Sequence, residues 1–401
     1  MTAVTPKDMT GSDLRPGGRA LTVAVALLVG GAGLGLAVLA LRHESAVHPT
    51  SQVQSSPTGA VPVPANGLIA FGCGYHICTM SPDGTNITDL TKPDDPNIVL
   101  AAYDPVWSPD GTKIAFYGYP RGAVRGGANY DVYVMNAEGS GVTNLTTSLA
   151  DVATWFSQLD PKWSPDGTKI VYDGDDGLYV MNADGSDQTR VASGQDASWS
   201  PDGSRIAFEG PGGAIWSVAP DGSGLTQLTS GPGFDGFPAY SPDGTKISYY
   251  RGEGGDRAIY VMNAGGSDQT RVADFQADTM GRPVWSPDGS MLAFDIYFMD
   301  QTWDIYAVNS DGSGLALLAG DPNRDENDPV WAPDGTTIAF QASSVVARDI
   351  DNTGTFELYL MSPDGTNQRP LTHDVGTSGG QDVYWQKLQS EVGSESPSPA
   401  G

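Results

Sequence analysis

A ten-residue string recurs down this chain and constrains its fold more than any other feature: an aromatic residue, a Ser-Pro-Asp-Gly turn, and a β-rich tetrad. It first reads Trp107-Ser-Pro-Asp-Gly-Thr-Lys-Ile-Ala-Phe116, and its anchor returns as Trp163, Trp199, Tyr240, Trp285 and Trp331. A second string, a short strand running into a glycine turn, alternates with it, as in Leu178-Tyr-Val-Met-Asn-Ala-Asp-Gly185. It begins near Ile77, Val132, Leu178, Ile215, Ile259, Ile305 and Leu358. Successive anchors are separated by 56, 36, 41, 45 and 46 residues. A period in the forties with several strands per unit marks a propeller, because one small sheet cannot bury both faces until neighbours stack on it.

The ends of the repeat set the blade count. Leu68-Ile-Ala-Phe71 matches the second strand of a blade, but no Trp-Ser-Pro precedes it. Asp382-Val-Tyr-Trp-Gln386 matches the first strand, but no further strands follow it. Each half lacks what the other has. The expected fold is therefore all-β, a seven-bladed β-propeller over 66–388 whose carboxy-terminal strand completes the amino-terminal blade and hides two sheet edges.

Within each turn, proline presets φ at the second position, aspartate is placed to bond local backbone, and glycine takes the last position at little steric cost. The aromatic anchors read as inter-blade core, where replacement by alanine costs roughly 3–5 kcal/mol.

The chain of 401 residues carries a formal net charge of −27, nearly all of it within the repeat region. Such a surface repels phosphate backbones, so nucleic acid is not an expected partner. Ala20–Leu41 is an uncharged stretch of 22 residues, long enough to cross a bilayer as a single transmembrane helix. A cleaved signal peptide is the rival reading, but no good Ala-x-Ala site follows Leu41. Lys7, Arg15 and Arg19 precede the stretch and only Arg42 follows closely, which orients residues 1–19 to the cytoplasm. Residues 42–65, rich in Ser, Pro, Val and Ala, read as a stalk, and 389–401 as a disordered tail. The expected location is thus the cell membrane, single-pass, with the propeller on the extracytoplasmic side.

The recurring Trp-Ser-Pro-Asp-Gly-x-x-Ile-Ala-Phe and Ile-Tyr-x-Met-Asn-x-Asp-Gly strings resemble the TolB-type propeller repeat over 66–388. TolB itself has six blades and an additional amino-terminal α/β domain, so the likeness is to the repeat. The resemblance implies an extracytoplasmic propeller with a protein-binding role and carries no finer assignment.

Candidate sites follow from the two faces such a ring must have. The tight turns share one face; connections of unequal length share the other, where binding residues gather. Those connections carry Tyr119, Arg121, Arg125, Trp155, Phe156, Phe298 and Trp303, types favoured at interaction hot spots. The competing reading is that these rings pack beneath their own loops. Three residues before the anchor, five blades hold Asp104, Asp160, Asp196, Asp328 and Asp382, and the other two hold Phe237 and Arg282. Because the innermost strand starts there, these carboxylates are expected at one mouth of the central channel. They suit either Ca²⁺ or a structural role in pinning the start of each blade.

Catalytic signals are poor. Asp321-Pro-Asn-Arg-Asp325 opens like a calcium loop but lacks its glycine and later glutamate. Gly376-Thr-Ser-Gly-Gly380 spells a nucleophile elbow without the strand-to-helix context the motif needs. Cys73 and Cys78, which flank a four-residue hairpin tip, are expected to pair outside the cytoplasm, free thiols or a metal pair with His76 being the alternatives. The sequence supports a binding or scaffold module for a protein or other cell-envelope ligand, with no cofactor required. The alternative is a propeller enzyme, a polysaccharide lyase or peptide hydrolase, using the variable-loop face.

Overall fold

The computed structural model describes residues 65–91, 101–119, 130–146, 159–298, 302–344, 355–372, 377–378 and 383–388. Among these residues every regular element is a strand, and the strands form seven antiparallel sheets. Blade 2 is the plainest case. Its strands Ala101–Trp107, Lys113–Tyr119, Asp131–Asn136 and Thr143–Asn144 pair in sequence order from the innermost outward. Blades 3, 4 and 5 repeat this meander with inner strands Lys162–Trp163, Gln195–Trp199 and Phe234–Tyr240. Blade 7 starts at Arg324–Trp331 and adds a short outer pairing of Thr377–Ser378 with Thr355–Met361. Ser378 of the elbow-like string therefore lies in a strand pairing, and no helix follows it among the described residues.

Blade 1 closes the ring. Its strands Ala65–Cys73, His76–Met80 and Thr88–Asp89 receive Tyr384–Leu388 as their innermost member, with Ile69 opposite Trp385 and Ala70 opposite Tyr384. Side chains reinforce the seam. Gln386 accepts the Leu68 amide at 3.0 Å and donates to the Gly111 carbonyl of blade 2 at 2.7 Å. Asn66 donates to the Asp334 carboxylate in the blade 7 turn at 2.8 Å and accepts that residue's amide at 3.1 Å.

The core consists of the spaces between blades. Central-strand residues such as Phe116, Phe208, Phe294 and Phe340 are fully buried, and each apolar cluster draws on two neighbouring sheets. Three of the aromatic anchors are hydrogen-bonded as well as packed. The indole N–H of Trp163 donates to the Val106 carbonyl at 3.1 Å, Trp199 to Lys162 at 3.1 Å, and Trp285 to Ala239 at 3.0 Å. In each case the acceptor immediately precedes the anchor of the blade before. At these three interfaces one residue type supplies both apolar volume and a directional bond, whereas the buried indole N–H groups of Trp107, Trp331 and Trp385 contribute packing without such a bond among the described residues.

The turns behave as their residues dictate. Gly111, Gly167, Gly203, Gly244, Gly289 and Gly335 all take φ near +70°, where a Cβ is disfavoured. The amide of each donates to the carbonyl three residues earlier. The turn aspartate accepts the preceding Ser hydroxyl and the following amide, as Asp166 does from Ser164 at 2.6 Å and Thr168 at 3.0 Å. These turns leave one face of the disc repetitive and internally satisfied.

Candidate functional site: the mouth of the central channel

The position three residues before the anchor is a backbone irregularity before it is a charge. Asp104, Asp160, Asp196, Phe237 and Asp328 have φ of 47°, 31°, 54°, 53° and 51°. The ladder between the first two strands shifts register around Asp104, Asp196, Phe237 and Asp328. A left-handed residue in a strand makes a bulge, and aspartate tolerates that conformation better than most side chains. Its recurrence therefore has a local cause. Asp382 lies outside the described residues.

Blade 6 departs from this pattern. Its inner strand is split into Thr279–Met280 and Val284–Trp285, with Gly281-Arg282-Pro283 between. Arg282 extends to the Asp160 carboxylate of blade 3 at 3.7 Å and to the Asp196 carboxylate of blade 4 at 3.5 Å. Its guanidinium stands 5.7 Å from the centre of the Phe237 ring of blade 5. Lys162 lies 2.8 Å from Asp160 and donates to the Ala197 carbonyl of blade 4 at 2.8 Å.

Two further carboxylates, from second strands, complete the cluster. Asp173 accepts the Asp196 amide at 3.1 Å, and Glu209 pairs in register opposite Gln195. Burial and the nearby Asp160 push the Asp173 carboxyl up to about 8. Burial and the charge of Asp196 push Glu209 up to about 7. Burial also works against the charge of Asp160, but Lys162 and Arg282 outweigh it and hold that carboxyl below its ordinary value. Asp173 and Glu209 were not singled out from the sequence. The signal was present: both follow the Ile-Val-Tyr or Ile-Ala-Phe run of their blade, where blade 2 has Tyr117 and blade 5 has Tyr250.

Among the described residues no group of three or more His, Cys, Asp or Glu side chains is arranged to hold a metal ion. Asp321 of the calcium-like loop accepts from the Asn323 amide at 3.0 Å and pairs with Arg324 at 3.3 Å. Asp325 accepts the Trp303 amide at 3.1 Å. The carboxylates of that loop are engaged in shaping it.

Of the aromatic candidates, Tyr119, Phe298 and Trp303 are described, whereas Arg121, Arg125, Trp155 and Phe156 lie outside the described residues. Tyr119 donates its hydroxyl proton to Tyr130 at 2.7 Å, and Tyr130 makes edge contacts with Tyr103 and Tyr117. Trp303 faces Tyr297 across its hairpin with ring centres 5.5 Å apart. Phe298 packs edge-on against Phe275, so it belongs to the core beneath its own loop. Cys73 and Cys78 form a disulfide with Cα atoms 5.8 Å apart, at a tip whose Tyr75 carbonyl accepts the Ala102 amide of blade 2. His76 is engaged by Asp89 at 2.7 Å.

On the turn face, a groove of about 690 Å³ opens between blades 4 and 5, lined by Arg205, Ser217, Leu228, Tyr240 and Asp243. It coincides with the interface whose anchor is Tyr240 in place of tryptophan. Arg205 there is committed to Ser217 and the Gly224 carbonyl, each at 2.9 Å.

Residues 196–377 match the family model described as the TolB beta propeller domain. An uncharacterized protein of Agrobacterium fabrum is 31% identical over 157 residues, covering 34% of this chain and 54% of the relative. A protein described as a TolB homolog, from Chlorobium luteolum, is 30% identical over 192 residues, covering 47% of this chain and 31% of the relative. The chain thus spans about half or less of the length of these curated relatives. An oligogalacturonate lyase of Vibrio parahaemolyticus has a similar fold, with a TM-score of 0.52 at 16% identity over 78% of this chain and 86% of the lyase. At that identity the likeness concerns the fold alone. Over residues 196–377 the chain is thus similar to the TolB beta propeller domain, and the seven sheets and repeat turns agree with that likeness.

Proposed function

We propose that this propeller is a binding module of the cell envelope that engages a protein partner through its variable-loop face. One observation carries the reading. The turn face spends its polar groups on its own turns, while the opposite face holds the Tyr119–Tyr130 and Tyr297–Trp303 pairs at hairpin ends around a charged channel mouth. Aromatic rings of this kind bring large contact area with few rotatable bonds.

The path of the chain agrees. Ala65 and Leu388 pair at the turn-face end of blade 1, so both ends of the ring leave from that side. A tether supplied by Ala20–Leu41 would join the ring through its amino-terminal strand. That segment lies outside the described residues, and among those described no helix is long and apolar enough to cross a membrane. In this reading the helix anchors the protein in the membrane with the ring outside, where the Cys73–Cys78 disulfide is stable.

The test is capture of partners from cell-envelope extract by the full chain. Trp303→Ala with Tyr119→Ala should lower capture at least tenfold without unfolding the ring, while Lys113→Ala with Lys169→Ala on the turn face should leave it unchanged. Loss of capture from the turn-face pair alone would overturn the assignment.

A further inference from the structure

We infer that Arg282 is a strut across the central channel, locking blade 6 to blades 3 and 4 and covering the channel mouth. In a ring of seven, blades 3 and 6 are as far apart as two blades can be. A side chain from one inner strand that reaches the inner strand of the other must therefore cross the central axis. Arg282 does so, and on the way it touches Asp196 of blade 4 and overlies Phe237 of blade 5.

The backbone of blade 6 is shaped for this. A Cβ on Gly281 would collide with the Asp295 carboxylate, so a larger residue there would have to displace that side chain. Pro283 then biases Arg282 toward an extended conformation. Arg282 is not left-handed, unlike its counterparts Asp160, Asp196 and Phe237. The break in the strand accordingly aims a long cation where the repeat elsewhere places a short bulge residue.

The described contacts of the strut are ion pairs. Its contacts of 3.7 and 3.5 Å are long, and about a third of its side chain, 36%, is exposed. Asp160 has a nearer partner in Lys162 at 2.8 Å. Without the guanidinium, Asp160, Asp173, Asp196 and Glu209 would face one another with Lys162 as their described counter-charge. The guanidinium thus offsets part of the negative charge gathered at the mouth.

Hydrogen exchange on the full chain tests this, read at peptides covering Gln195–Trp199 and Ala277–Trp285. Arg282→Gln should speed exchange about tenfold in both, the equivalent of ~1.4 kcal/mol of local opening. Arg282→Lys should fall between that variant and the unmodified protein. Raising salt from about 10 mM to 1 M should accelerate exchange at both peptides in the unmodified protein but have little effect in Arg282→Gln. If Arg282→Gln does not fold, Asp196→Asn serves in its place and should loosen Ala277–Trp285 in the same way. A change confined to blade 6, or equal salt sensitivity with and without the guanidinium, would overturn the proposal.

Discussion

The carboxylates of the turn face and those of the channel mouth are opposite solutions to one problem, an acidic chain that must fold compactly. On the turn face, Asp110, Asp166 and Asp202 lie below the ordinary carboxylate range, chiefly because the hydroxyls of Ser108, Ser164 and Ser200 donate to them. At the mouth, burial pushes Asp173 and Glu209 upward, to about 8 and about 7, and neighbouring acids add to it. The first set is satisfied within its own five-residue turn and repeats from blade to blade. The second depends on side chains that meet only when blades 3, 4 and 6 surround the channel. Local satisfaction stabilises the fold, whereas crowding of acids weakens it and marks a place shaped by something other than stability.

The sharpest way to break this contrast is to remove the seam on which the turn face depends. A chain ending at Gly380 loses Trp385 and Gln386, and with them the bonds to Leu68 and Gly111. It should expose two sheet edges and aggregate, whereas ending at Leu388 should leave the thermal midpoint nearly unchanged. A monomeric product with an unchanged midpoint from the shorter chain, by light scattering and calorimetry, would refute ring closure.

Titration separates the two sets by sign. Asp173 and Glu209 have ordinary values of 3.8 and 4.5 and are raised in the fold, so the folded state binds more protons than the unfolded one between about pH 4 and 8. Stability contributed by this pair should fall as pH rises through that window. The turn aspartates work in reverse: their contribution is present above about pH 4 and is lost as pH falls through their lowered values. Asp173→Asn combined with Glu209→Gln should flatten the decline in thermal midpoint between pH 5 and 8, and should leave the loss below pH 4 in place. An unchanged slope above pH 5 would remove the distinction.

A single turn should matter least. Asp166→Ala deletes the acceptor for Ser164 and Thr168 and should cost about 1 kcal/mol, seen as a lower urea midpoint with an unchanged slope. Its neighbours should be unaffected, because the described bonds of the Asp166 carboxylate stay within its own turn.

Much of this architecture is legible without coordinates. Seven blades, the shared strand of blade 1, the tight turns and the Cys73–Cys78 bond all follow from residues close in sequence or repeated at a fixed period. The recurring position of Asp104, Asp160, Asp196 and Asp328 was visible as a column of aspartates, though its left-handed backbone was not. Phe298 was less legible, since the same ring type serves a core or a binding surface; it is half-buried, edge-on to Phe275.

By itself the sequence determined the repeat, and with it the ring, because each blade is encoded by contacts within some forty residues and stacking is their shared way to bury both faces. Only the tertiary structure decided what occupies the channel. Arg282 is 86 residues from Asp196 and farther still from Asp160, and the column alignment that made it an exception could not say where its side chain would end. That depends on the width of a closed ring and on a strand broken at Gly281, and both exist only once all seven blades are in place.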